Sequence, residues 1–322
     1  MKINLFEPYI DDAEEKAVLE TLRSKFWASG AGVGNVAKFE NKFKKYVNAD
    51  ECLAVNSGTA ALNISLSLLD IKNKEVIIPS LSFVSTANCV LLNGGIPKFV
   101  DVDPKTLCIK PELIEKSITK KTKTIIPVHF GGFPCDMKKI LALGRKYGIK
   151  IIEDAAHATG ASFSKKKIEA RRWCGITNRN DDRYEVEEIG DNYYMNEISA
   201  AIGLVQLKKL DFANKKRRDI AKKYSSKLKM TNKMPYSEDC VYHFYWIKVK
   251  NREKFMKKMY EKGIETGIHY NPVHKMSYYK SKMKLPITEQ VTNQIVSIPT
   301  HPNLTNSQVD KIIHAVNNLY DC

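Results

Sequence analysis

Long apolar runs are missing from this sequence. No uncharged stretch approaches the 18 residues that a membrane-crossing helix needs, so a helical span is excluded. The cysteine patterns of a metal or redox site are missing too. Seven cysteines stand at 52, 89, 108, 135, 174, 240 and 322; the count is odd, no CxxC occurs, and no His/Cys group has zinc spacing. Reduced thiols in a cytoplasm are the expectation. The opening MKINLFEPYIDDAEE has no apolar core and turns acidic, so no signal peptide is expected. Arginine is scarce, nine against 43 lysines, although the net charge is +16. A lysine excess spread along the chain reads as a solvated surface that favours an anionic small substrate, with no nucleic acid as partner. No internal repeat and no low-complexity linker occurs.

What is present is ordinary for a globular protein. A hydrophobic fraction of 43% with 27% charged residues excludes wholesale disorder, and 322 residues suggest two domains at roughly 100–200 residues each. The first half repeats one rhythm. Short apolar runs at 52–56, 75–79, 97–103, 123–130 and 150–156 read as strands, and stretches at 57–70, 83–95, 111–119 and 136–148 read as helices. That alternation predicts an α/β fold with a mostly parallel sheet covered on both faces. A long helical stretch at 195–228 follows. VYHFYWIKVK (241–250) then alternates like a half-exposed antiparallel strand, and 252–263 reads as an amphipathic helix ending in glycine, so a smaller α+β domain is expected at the C-terminus.

Three places carry chemistry. Asn56-Ser57-Gly58-Thr59-Ala60-Ala61 lies where a strand gives way to a helix, and free N–H groups with the helix dipole bind anions there. Read alone, it is equally an N-cap serine with a turn glycine. Glu153-Asp154-Ala155-Ala156-His157 ends an apolar strand, where open α/β sheets bind ligands. A lone Asp at that place also serves as a cap. Pro79 to Asn88 opens a helix with Phe83 beside the strand ends, which suits a stacking face for a flat cofactor and equally a core aromatic.

In order and spacing these places resemble the DegT/DnrJ/EryC1/StrS family of sugar aminotransferases, which are fold-type I pyridoxal 5'-phosphate (PLP) enzymes. FWASGAGVGNVAKFENKF (26–43), AVNSGTAAL (54–62), IIPSLSFVSTANCVLLNGGIPKFVDVDP (77–104) and KTIIPVHFGGFPCDM (123–137) carry the resemblance. IIEDAAHATGASF (151–163), EIGDNYYMNEISAAIGLVQLKKLD (188–211), GIHYNPVH (267–274) and IVSIPTHPNLT (295–305) extend it over nearly the whole chain. It implies a PLP-binding large domain at 1–212, with an N-terminal arm to about 45, and a small domain at 213–322. Ser57, Gly58 and Thr59 would hold the cofactor phosphate, Phe83 would stack on the ring, Asp154 would pair with the ring nitrogen, and His157 would lie near the ring. Asn192 would reach the phosphate from the neighbouring subunit, which implies a homodimer. His269, Tyr270 and His274 would line the substrate side. The implied reaction moves an amino group from an amino-acid donor to a nucleotide-linked keto sugar, for a surface polysaccharide.

One departure is large. In the family, the GASF-like segment leads to SFHxxK, whose lysine forms the Schiff base with PLP, and then to a GEGG turn. Here GASFSKKKIEA (160–170) runs directly into RRWCGITN (171–178), and neither motif occurs anywhere. Three to four dozen family residues are absent, strands of the central sheet among them. Lys165, Lys166 and Lys167 match the hairpin and not the catalytic strand, so no catalytic lysine is identified. Two other readings therefore stay open: a catalytically inactive nucleotide-sugar-binding paralogue or heterodimer partner, and a PLP-dependent sugar dehydratase. A smaller departure is Tyr194, where many relatives carry arginine.

Overall fold

In the computed structural model, residues 2–28, 33–158, 171–172, 174, 176–180, 183–186, 189–279 and 281–320 are described. The chain opens with α1 (Asp12–Arg23), α2 (Gly34–Tyr46) and α3 (Gly58–Ser67). It then alternates through β1 (Glu75–Pro79), α4 (Ser85–Leu92), β2 (Ile96–Val100), α5 (Pro111–Ser117), β3 (Thr122–Ile125), α6 (Met137–Tyr147) and β4 (Lys150–Ile151). After β5 (Ile176–Asn180) and β6 (Arg183–Val186) comes the long α7 (Glu197–Lys227). The remainder is β7 (Tyr245–Lys248), α8 (Arg252–Glu261), α9 (Pro286–Gln294), β8 (Ile295–Ile298) and α10 (Asn306–Leu319).

The central sheet has the order β2-β1-β3-β4, every pair parallel. Val76, Ile77 and Ile78 of β1 are fully buried, as a parallel strand covered on both faces requires. One face of the sheet packs Ile78, Ile126 and Ile152 against Leu62 and Leu66 of α3 and Val90 of α4. The other packs Ile77 and Ile125 with Ile140 and Leu143 of α6, continuous with Trp246 and Ile298 of β7 and β8. β7 and β8 form an antiparallel pair, and so do β5 and β6. The helix ends follow local chemistry. The Asp136 carboxylate caps α6 by accepting from Lys139 N–H at 3.1 Å, and Gly148 closes the helix at φ 65°.

The expected strand at 52–56 does not join the sheet among the described residues. Only Val55 forms a bridge, antiparallel to Tyr194. Pairing is a non-local property, and here Ala54 spends its main-chain groups on side chains: its N–H donates to Glu40 at 2.8 Å and its C=O accepts from Arg172 at 2.9 Å. The expected strand at 150–156 is short: among the described residues β4 has β3 on one side and no strand on the other. No helix among the described residues is long and apolar enough to cross a membrane, and no group of His, Cys, Asp and Glu among them is placed to hold a metal ion.

Candidate active site

Ser57, Gly58 and Thr59 sit at the start of α3, all exposed. The Ser57 hydroxyl accepts from Ala60 N–H at 3.1 Å and its carbonyl accepts from Ala61 N–H at 3.1 Å. The N–H groups of Gly58 and Thr59 have no partner among the described residues and lie at the positive end of the helix dipole. A Cβ on Gly58 would meet no atom within 4 Å, so this glycine leaves open space above a row of donors, shaped for an anion.

Asp154 lies across a cavity of about 350 Å³ that Gly58 also lines. The carboxylate is 9% exposed. Thr86 Oγ1 donates to Oδ2 at 2.9 Å, Ala156 N–H donates to Oδ1 at 3.3 Å, and Ser82 Oγ is 2.8 Å from Thr86 Oγ1. Burial holds the carboxyl above its ordinary pKa, against the pull of these two donors and of His129. Among the described residues no lysine or arginine pairs with it, so an incoming cationic group would find a buried, prepared partner.

An aromatic wall adjoins Asp154. Phe83 is 55% exposed, with its ring centroid 5.8 Å from that of Tyr270. The Tyr270 hydroxyl lies 3.0 Å from His157 Nε2, while His157 Nδ1 is buried without a partner. His157 stacks on His243 at 4.7 Å and 17°, and His269 stacks on Phe244 at 4.6 Å and 13°. His269 Nδ1 also meets Ser297 Oγ at 2.8 Å. Burial first, then His243 and His269, push the His157 pKa down to about 3; burial lowers His269 to about 4 and raises the Tyr270 hydroxyl to about 12. At neutral pH both imidazoles are therefore uncharged.

The structure thus places Gly58 and Asp154 on one cavity and links Phe83, Tyr270, His157 and His269 in a cluster of rings. Asn192 is exposed and comes in from its own chain: its carbonyl accepts from Asn56 Nδ2 at 3.5 Å, and Tyr193 O accepts from Asn56 N–H at 2.9 Å. His274 is not brought to the site. It is 0% exposed, with Nδ1 2.6 Å from Ser80 Oγ and Nε2 3.2 Å from Glu289 Oε1. Both nitrogens are occupied, so its expected substrate contact is corrected to a strut holding residues 272–276 on the end of β1. Ser80, His274 and Glu289 follow the order of a hydrolytic triad, yet the fully buried hydroxyl has no access to a substrate. Lys165, Lys166 and Lys167 lie outside the described residues.

Sequence reasoning missed Ser82, Thr86 and His243. Ser82 stands three residues before the start of α4 and Thr86 is the second residue of that helix, so helical spacing does not pair them and their contact is a property of the folded turn. His243 alternates outward from the buried Tyr242 and Phe244, a period-two signal that was legible.

Known proteins of similar sequence and fold are as follows. The model of the DegT/DnrJ/EryC1/StrS aminotransferase family matches residues 8–172 and, separately, 164–317. An uncharacterized protein of Methanocaldococcus jannaschii is 31% identical over 372 aligned positions, covering 97% of this chain and 96% of that protein. Ninety-seven per cent of 322 residues is about 312, so about 60 of the 372 positions have no residue in this chain. The two family matches meet at 164–172, where the sequence runs directly from GASF to RRWCGI. Helicobacter pylori PseC, an aminotransferase involved in the biosynthesis of pseudoaminic acid, superposes with a TM-score of 0.91 at 25% identity, covering 99% of each chain. NtdA from Bacillus subtilis, solved with bound cofactor PMP, superposes at 0.87 with 28% identity, covering 97% of this chain and 83% of that one.

Proposed function

The chain belongs to the DegT/DnrJ/EryC1/StrS aminotransferase family, and from that premise we propose that PLP binds in the cavity between α3 and the end of β4. The family and its neighbours place the protein in PLP-dependent amino-sugar biosynthesis. Within that, the proposed substrate is a keto sugar linked to a nucleotide, the donor glutamate or another amino acid, and the product an amino sugar for a surface polysaccharide. The protein is proposed to act in the cytoplasm as a homodimer. The proposed domain division at 212/213 falls inside α7, which would serve both parts.

One observation carries the reading. The open donor row at Gly58 and the buried carboxylate of Asp154, which has no lysine or arginine beside it among the described residues, line the same cavity. PLP, when bound, supplies a cationic ring that accepts electrons from the substrate. Gly58 and Thr59 would take its phosphate, with Ser57 fixing the turn that presents them. Asp154 would hold the proton on the ring nitrogen. Phe83 would cover one face. His157, kept neutral by its surroundings, would offer its unpartnered Nδ1 to a group at the ring's edge.

The residues fit binding and do not fit covalent attachment, because no lysine is among the described residues that line the cavity and the family's lysine motif is absent from the sequence. A positioned base contributes roughly 10²–10⁴-fold, so this chain transaminates only at background level. That absence favours the second reading, an inactive paralogue that binds nucleotide sugar or pairs with a complete relative. PLP titration with borohydride reduction and peptide mass spectrometry tests both. The expected result is reversible PLP binding with no reduced adduct on Lys165–Lys167. Inserting a family-type segment between Ile168 and Arg171 should then bring both adduct and turnover. An adduct on one of those lysines with ordinary turnover in the unaltered chain would overturn the reading.

A further inference from the structure

Asp154 stands beyond the regular part of its strand, because β4 ends at Ile151. Past that point Ile152 N–H donates to Ile125 O at 3.1 Å and Asp154 N–H donates to Pro127 O at 2.9 Å. His129 N–H donates to Asp154 O at 3.2 Å, completing a bridge between Val128 and Asp154. A strand end held by single bonds opens more readily than the middle of a sheet, so a carboxylate carried there is aimed by what its neighbours hold.

The neighbour that is held is Glu153. Successive side chains of an extended chain point to opposite faces. Asp154 lies on the side of α4, where Thr86 donates to it, and Glu153 on the other, where His129 Nε2 is 3.0 Å from its Oε2. The second ring nitrogen fixes the direction of that bond. Cys135 N–H donates to His129 Nδ1 at 3.0 Å, so the neutral ring carries its proton on Nε2 and donates it to Glu153. His129 is buried, and swinging its ring away would leave the Cys135 N–H unpaired. Around it the Cys135 thiol donates to Val128 O at 3.2 Å, and Gly132 N–H donates to His129 O at 3.0 Å, closing the turn Phe130–Gly132. His129 therefore ties this turn to Glu153 through its ring and to Asp154 through its main chain.

We propose that His129 is a positioning residue for Asp154. Its ring, locked as the Nε2–H tautomer by Cys135, clamps Glu153 on the far face of the strand end and so aims the Asp154 carboxylate at the ring nitrogen of the cofactor. This rests on the reading of Asp154 as the partner of that nitrogen. The clamp acts on the ring end of the ligand and leaves the phosphate end at Gly58 alone, since among the described residues no hydrogen bond links α3 to His129 or Glu153.

The test titrates the full chain with PLP, with the PLP analogue that has carbon in place of the ring nitrogen, and with inorganic phosphate. His129→Asn keeps an acceptor for the Cys135 N–H and does not reach Glu153. Glu153→Ala breaks the same clamp from a partly exposed side chain, and decides the matter if His129→Asn does not fold. Glu153→Gln keeps an oxygen for the Nε2–H. Affinity for PLP should fall about tenfold in His129→Asn and in Glu153→Ala, on the scale of one hydrogen bond to a charged group. The two changes together should cost no more than either alone, and Glu153→Gln should stay within about twofold of the parent. Affinity for the carbon analogue and for phosphate should hold throughout, because neither engages Asp154. Unchanged PLP affinity in both clamp-breaking variants would overturn the proposal. An equal loss for all three ligands would overturn it too, leaving His129 a support of the fold alone. An unaltered chain that binds PLP no better than the carbon analogue would instead overturn the reading of Asp154, and this proposal with it.

Discussion

Asp154 is a buried carboxylate with no lysine or arginine beside it among the described residues, and its surroundings suit a ligand better than they suit the empty protein. Folding raises its pKa above the ordinary 3.8, so the folded chain holds the proton more tightly than the unfolded one. Stability from this group is then present at low pH and lost as pH rises through the folded value. Asp154→Asn keeps the Thr86 bond and removes the charge. Thermal denaturation of the cofactor-free variant at pH 7 should show a Tm about 1–3 °C higher than the parent, the gap closing in acid, while PLP binds more weakly. His157 has the opposite sign. Its folded pKa, about 3, lies below the ordinary 6.5, so its contribution is complete above 6.5 and is lost as pH falls through that range. Urea unfolding between pH 4 and 7 should therefore depend on pH less steeply in His157→Phe, by about one proton per molecule.

At the scale of elements, α3 separates stability from binding. Ser57 caps the helix through Ala60 N–H, and Ser57→Ala should cost about 1 kcal/mol in urea unfolding. Gly58 contributes no packing that a side chain would disturb. Gly58→Val should hold the midpoint of unfolding and weaken PLP and inorganic phosphate alike, since the side chain fills the space an anion needs; unchanged affinity for both would remove the phosphate from this helix. Strand β1 and the ends of α6 were legible residue by residue. Glu75–Pro79 is an apolar run between turns, and Asp136 and Gly148 are cap residues whose effect is local. The stretch 52–56 has the same apolar look and is not a strand, because a strand needs a neighbour and this one has side chains instead.

For the whole molecule, Asn192 and Tyr193 bear on assembly. The family resemblance has Asn192 reaching the neighbour's phosphate, and in the structure this segment lies against Asn56, beside the phosphate end of its own α3. A homodimer is expected by light scattering at micromolar concentration; a monomer would show that this segment completes only its own site.

The alternation of strands and helices over residues 75–151, the family and the missing Schiff-base lysine all came from the amino-acid string. They rest on periodicity, capping and motif order, which are properties of neighbouring residues. Folding alone revealed that Ser82 and Thr86 support Asp154, that His243 lies on His157, and that His274 is a buried strut. It also showed that Val55 bridges to Tyr194 and not to the central sheet. Each of these depends on which distant segments meet, and such meetings are set by packing around a common core that no local pattern encodes.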